Sequence, residues 1–162
     1  MKKQGLFRGV AAAGLLAAAL LAGCGAQPEA DAETTARVVL EGAFSCGTGD
    51  SAAFETALAE SVTDDEAALN EYWVGRMGED FTEEGLDTLT ANRVATRVLT
   101  AWPDTAVEVA EVALEEAYSG SDTEADYTYT VKAGPEGITP VTFTGQIGLV
   151  RTDDGWLVSR LE

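Results

Sequence analysis

The apolar residues of this chain change their period once, at Trp102-Pro103, and that change restricts the fold more than any other feature of the sequence. Before it they recur at three- and four-residue intervals, as on a helix with one buried face; after it they alternate, as on a half-buried strand. In the first half Ala36, Val39, Leu40, Ala43 and Phe44 form one stripe, opened near Asp31 and stopped by Gly47-Thr48-Gly49. Asp50 or Ser51 can cap a second, short helix that carries Phe54, Ala57, Leu58 and Val62 on one side. Thr63 and Glu66 have the spacing of a capping box ahead of Leu69, Tyr72, Trp73 and Met77. A fourth helix is predicted from about Glu83 to Ala101, with Ala91, Val94, Ala95, Val98, Leu99 and Trp102 along one side. Pro103 closes it, because proline disfavours helix in the residue before it.

In the second half Val107 and Val109 alternate with acidic or small residues, then the phase shifts to Val112 and Leu114, which predicts a β-bulge near Ala110-Glu111. Tyr127, Tyr129 and Val131 mark a second strand, and Val141, Phe143, Ile147 and Leu149 a third with Gly145 inside it. Asp153-Asp154-Gly155 turns the chain tightly into a last strand, Trp156 to Leu161. The expected class is α+β, with N-terminal helices packed on one face of a curved four-stranded antiparallel sheet.

Ahead of the helices lie Lys2, Lys3 and Arg8, then an apolar run from Gly9 to Ala22. That run is shorter than the roughly 20 residues of a membrane-spanning helix and has the proportions of a secretory signal. It ends in Leu21-Ala22-Gly23-Cys24, which resembles the lipobox of bacterial lipoproteins. The resemblance implies that Cys24 receives a diacylglycerol, that residues 1–23 are removed as a signal peptide, and that lipid holds the protein on the extracytoplasmic face of a bacterial membrane. Residues 24–31 then form a lipidated cysteine with a short tether, and 32–162 the folded domain. Three of the ten basic residues leave with the signal, so seven face 28 acidic ones. Such a field repels nucleic acid and anionic phospholipid, and no nucleic-acid partner is expected.

With Cys24 acylated, Cys46 has no partner for an internal disulfide and is expected as a small buried residue near a helix end. Histidine is absent, which removes the commonest general base and every Ser-His or Cys-His arrangement.

At the C-terminus, Leu149-Val150-Arg151, the turn Thr152-Asp153-Asp154-Gly155 and Trp156-Leu157-Val158 together resemble the final hairpin of NTF2-like, or cystatin-like, domains. In those domains a conical sheet wraps around helices. Helices first and a terminal hairpin with tryptophan also resemble small Gram-positive envelope lipoproteins of unknown function, over about residues 32–162. The chain departs from the NTF2-like pattern in having several short helices instead of one long leading helix. The resemblance implies a pocket between sheet and helices, for which Tyr72, Trp73, Trp102, Tyr127 and Tyr129 are the candidate lining residues.

Some NTF2-like domains pair an aspartate base with a tyrosine. Here Glu71, Glu124 and Asp126 fall at phases that point away from the apolar side, and the aromatic residues read as core packing before they read as ligand platforms. Asp122, Glu124 and Asp126 share a strand face and Asp64, Asp65 and Glu66 crowd a helix start, yet neither set has the spacing of a calcium loop. No metal or cofactor is expected. Arg93 and Arg97, one helical turn apart, are expected to pair with surface acids. The expected role is a non-catalytic module that binds an envelope protein, a peptide or a small ligand. The alternative is a small-pocket enzyme of the isomerase or dehydratase kind, using a buried carboxylate and a tyrosine.

Overall fold

The computed structural model describes residues 31–62 and 67–162, without the side chains of 118–120. Cys24, the tether and the capping box at 63–66 lie outside the described residues. Among the described residues five helices precede four strands: α1 Ala32–Phe44, α2 Asp50–Ser61, α3 Ala67–Met77, α4 Glu83–Asn92, α5 Thr96–Ala101, β1 Glu108–Ser121, β2 Glu124–Gly134, β3 Val141–Thr152 and β4 Gly155–Leu161. None of these helices is long and apolar enough to cross a membrane.

Helix α1 forms as its stripe predicts. Asp31 caps it by accepting the Thr34 backbone N–H at 2.8 Å, a bond that holds the Asp31 carboxyl below its ordinary pKa. Ala36, Val39, Leu40, Ala43 and Phe44 are fully buried, and the helix lies across the sheet in contact with all four strands. Arg37 fastens it there: Nη1 donates to the Val112 carbonyl of β1 at 2.7 Å while Glu33 holds the guanidinium from one turn earlier.

Helix α2 differs from expectation. Its N-cap is Gly49 in the left-handed region (φ 94°), with no side-chain cap. Asp50 instead turns back to accept the Gly47 N–H at 2.9 Å. The expected apolar stripe is left partly in solvent, with Leu58 45% and Val62 83% exposed, because α2 sits at the rim of the helical layer against α3 and α5.

The expected long fourth helix is two helices, broken at Arg93, which adopts a left-handed conformation (φ 52°). The cause lies in the buried residues on either side. Leu89 and Val98 are both fully buried, yet nine residues at about 100° each would place them on opposite faces of a straight helix. A change of direction between them lets one core take both, and Ala91, expected on the buried side, is exposed.

The strands pair antiparallel in the order β1-β2-β3-β4. The register of β1 on β2 slips between Val109 and Glu111, where the alternation of the sequence shifts phase. Gly145 is required on β3 because any Cβ there would collide with the Glu162 carbonyl and the Tyr129 ring.

The α+β class stands, with helices against an antiparallel sheet, but the curved, cone-like sheet expected from the NTF2-like resemblance does not form. The sheet is open: β1 and β4 are its two edges and do not pair. Two features account for this. The helices among the described residues are 6 to 13 residues long, so none of them offers a long rod for a sheet to wrap. The outer edge of β4 is also already engaged, since Val158 N–H donates to Asp80 O at 2.8 Å and Thr82 N–H to Val158 O at 2.9 Å. This bridge brings α4 so close to β4 that a Cβ on Gly85 would overlap the Val158 carbonyl.

Candidate functional site

The candidate aromatic residues separate into different environments. Tyr129 and Trp102 belong to a group between α1 and the sheet: Phe44 packs on Tyr129 (5.7 Å between centroids) and on Phe143 (5.0 Å), and Trp102 meets Phe143 edge-on (6.5 Å). This group fills the space between sheet and helices. Tyr129 is 2% exposed, its hydroxyl donates to the Glu162 backbone O at 2.8 Å, and burial pushes its pKa up to about 12. Tyr127 is half-buried at the side of the sheet, its pKa raised by burial and then by Glu116.

Tyr72 and Trp73 belong to a second group inside the helical layer, edge-on to each other at 4.8 Å and tilted against Phe54 at 5.8 and 5.5 Å. The two face different surroundings. Tyr72 donates to Asp50 O at 3.3 Å and accepts from Arg76 Nη1 at 3.1 Å. Arg76 also donates to the Ser45 and Gly42 carbonyls and stands 3.6 Å from Asp50. Helix α1 has no basic residue in its last turn, so Arg76, reaching across from α3, supplies the cation and donors that its C-terminal carbonyls need. Every group of this cluster has a partner, and it reads as a structural clasp. Cys46 lies beside it, half-buried rather than buried, with its thiol directed to Thr105 O at 3.4 Å and its pKa raised by burial.

Trp73 faces a cleft of about 450 Å³ formed by α2, α3, α4 and α5. Phe54, Leu58, Leu69 and Trp73 make its apolar wall; Thr90, Arg93, Thr96 and Thr100 make its polar one. No carboxylate and no tyrosine is among these lining residues. The volume lies within the usual range of small-molecule sites, about 300–1,000 Å³. Trp73 is 1% exposed, and its indole Nε1–H has no hydrogen-bond partner; the Thr90 hydroxyl is likewise buried and unpartnered. Two orphaned polar groups on lining side chains of one cleft are unusual, because a buried unsatisfied donor costs about 1–3 kcal/mol.

Of the five candidate residues, Trp73 alone lines this cleft, and the cleft lies within the helical layer instead of between sheet and helices. The polar lining residues were missed because Thr90, Arg93, Thr96 and Thr100 recur on the face opposite the apolar stripe of the expected helix, and such a face reads as solvated surface. Arg93 and Arg97 do not pair as expected; neither has an ion-pair partner among the described residues, whereas Asp126 pairs with Arg160 at 2.8 Å. No group of three or more acidic or cysteine side chains placed to hold a metal occurs among the described residues. No family model and no curated protein matches the chain.

Proposed function

We propose that this protein is a lipoprotein held on the extracytoplasmic face of a bacterial membrane through lipid on Cys24, and that its domain is a non-catalytic module binding a small ligand in the cleft among α2–α5. The reading of the domain rests on one observation: two residues that line the cleft, Trp73 and Thr90, have an indole N–H and a hydroxyl that are buried and without partners. An acceptor brought by a ligand relieves that cost on binding, once the wall opens to admit it to these covered groups. The anchor is supported by the charged start, the short apolar run and Leu21-Ala22-Gly23-Cys24. The isomerase or dehydratase alternative needs a carboxylate inside an apolar cavity, and the lining of this cleft offers none.

Mass spectrometry of the protein from its membrane tests the anchor: a mature chain that begins at an acylated Cys24 is expected, and a bare cysteine or another start refutes it. A thermal-shift series of small amphipathic compounds tests the cleft. At least one is expected to raise the melting temperature of the wild type and to lose that effect in Trp73→Phe. A series that leaves the wild type unmoved refutes it.

A further inference from the structure

Resting on the reading of the cleft as the ligand site, we infer that its ligand is a small amphipathic carboxylate, with its apolar body against Phe54, Leu58, Leu69 and Trp73 and its carboxylate on Arg93. The lining residues offer an indole N–H, the Thr90 hydroxyl and a guanidinium, with no acidic side chain among them. A cationic ligand would find only Arg93 and no counter-charge.

Arg93 itself is conspicuous in two ways. In a chain of net charge −18 with 28 acidic residues, its guanidinium has no ion-pair partner among the described residues. It also occupies the left-handed turn between α4 and α5 (φ 52°), a conformation that glycine or asparagine adopts more readily than arginine. An arginine at a position that disfavours it, at the mouth of a cleft and unpaired amid surplus acid, is placed for a group that arrives from outside.

The class of anion follows from the count of positive groups. One guanidinium matches a planar carboxylate with two parallel N–H···O bonds. A phosphate monoester, close to −2, would need more positive charge than one arginine supplies within so acidic a chain. Thr96 Oγ1 already donates to the Arg93 carbonyl at 2.8 Å, which fixes the turn and uses that hydroxyl's one proton, so Thr96 has none to give an anion. The Thr90 hydroxyl and Trp73 N–H remain free to donate.

The test uses the full chain in lipid nanodiscs, with 3-phenylpropionate as the probe and 3-phenylpropionamide as its neutral counterpart. Indole N–H signals are followed by ¹H–¹⁵N NMR; the sequence has three tryptophans, and the signal lost in Trp73→Phe is that of Trp73. The acid is expected to move the Trp73 signal and to bind at least about tenfold more tightly than the amide, the scale of one charge-assisted hydrogen bond. Arg93→Gly removes the guanidinium while suiting the left-handed backbone, so it stays folded; it is expected to weaken the acid about tenfold and leave the amide unchanged. Equal affinity for acid and amide, or an unaltered affinity for the acid in Arg93→Gly, overturns the carboxylate and leaves the cleft as a site. A Trp73 signal that neither probe moves overturns both.

Discussion

Replacing Gly85 by alanine should destabilise this protein, and replacing Gly75 by alanine should stabilise it, although both glycines are helical. In a helix the change ordinarily gains about 0.5–1 kcal/mol, because alanine has less backbone freedom to lose on folding. Gly75 on α3 is exposed and a Cβ there meets nothing within 4 Å, so the full gain is expected. At Gly85 the new methyl would be driven into the Val158 carbonyl and lie 3.3 Å from the Phe81 ring. Strand β4 cannot retreat, because Val158 is bonded on both sides, its N–H to Asp80 O and its oxygen to the Thr82 N–H. Helix α4 has to lift instead. Overpacking of this kind costs about 1–3 kcal/mol, and weakening the two edge hydrogen bonds adds about 0.5–1.5 kcal/mol each. Against a gain of at most about 1 kcal/mol, the net loss is about 1–5 kcal/mol, or roughly 4–20 °C in melting temperature for a domain of this size. Urea and thermal unfolding of both variants, followed by far-ultraviolet circular dichroism, give the comparison. A Gly85→Ala variant as stable as the wild type, or a Gly75→Ala variant equally damaged, would refute the reasoning from close approach of α4 to β4.

Two further perturbations test the core. The Tyr129 phenol has its pKa raised from 10.0 to about 12 by burial, so its contribution is complete below about pH 10 and is lost as pH rises toward 12. That loss amounts to about 2–3 kcal/mol, and Tyr129→Phe should flatten the fall in urea-unfolding stability across this window; an unchanged slope would refute the assignment. Arg76→Ala leaves the end of α1 and the Tyr72 hydroxyl without their donor and should cost about 2–4 kcal/mol, whereas a loss below about 0.5 kcal/mol in denaturant titration would show that the clasp is not structural.

Helix α1 and the bulge of β1 were legible in the sequence because each depends on local pattern alone: a stripe with an aspartate before it, and a phase shift within one alternating run. The break at Arg93 was not, since nothing at that residue forbids helix. Its cause is the shared burial of Leu89 and Val98, which is settled by the core and not by neighbours in sequence. The open sheet was hidden for a similar reason. Asp80-Phe81-Thr82 is too short to show alternation, yet it occupies the β4 edge that a cone would have needed. For the cleft, Trp73 was in view as a candidate, but the other lining residues are brought to it by the packing of neighbouring helices, which the core settles and local pattern does not. Leu58 and Val62 looked like core because they complete a stripe; the short α2 at the rim of its layer has too little neighbouring surface to cover them.

The outer edge of β1, which no strand among the described residues pairs, has a consequence of its own. An edge strand is a template on which a neighbouring molecule can add its own. Along β1 stand Glu108, Glu111, Glu115 and Glu116, with Lys132 answering one of them, Glu111, at 2.7 Å. Zipping two such margins together would crowd like charges, so the glutamates act as a fence against strand addition, while at the opposite margin the backbone of Val158 is already taken by Asp80 and Thr82.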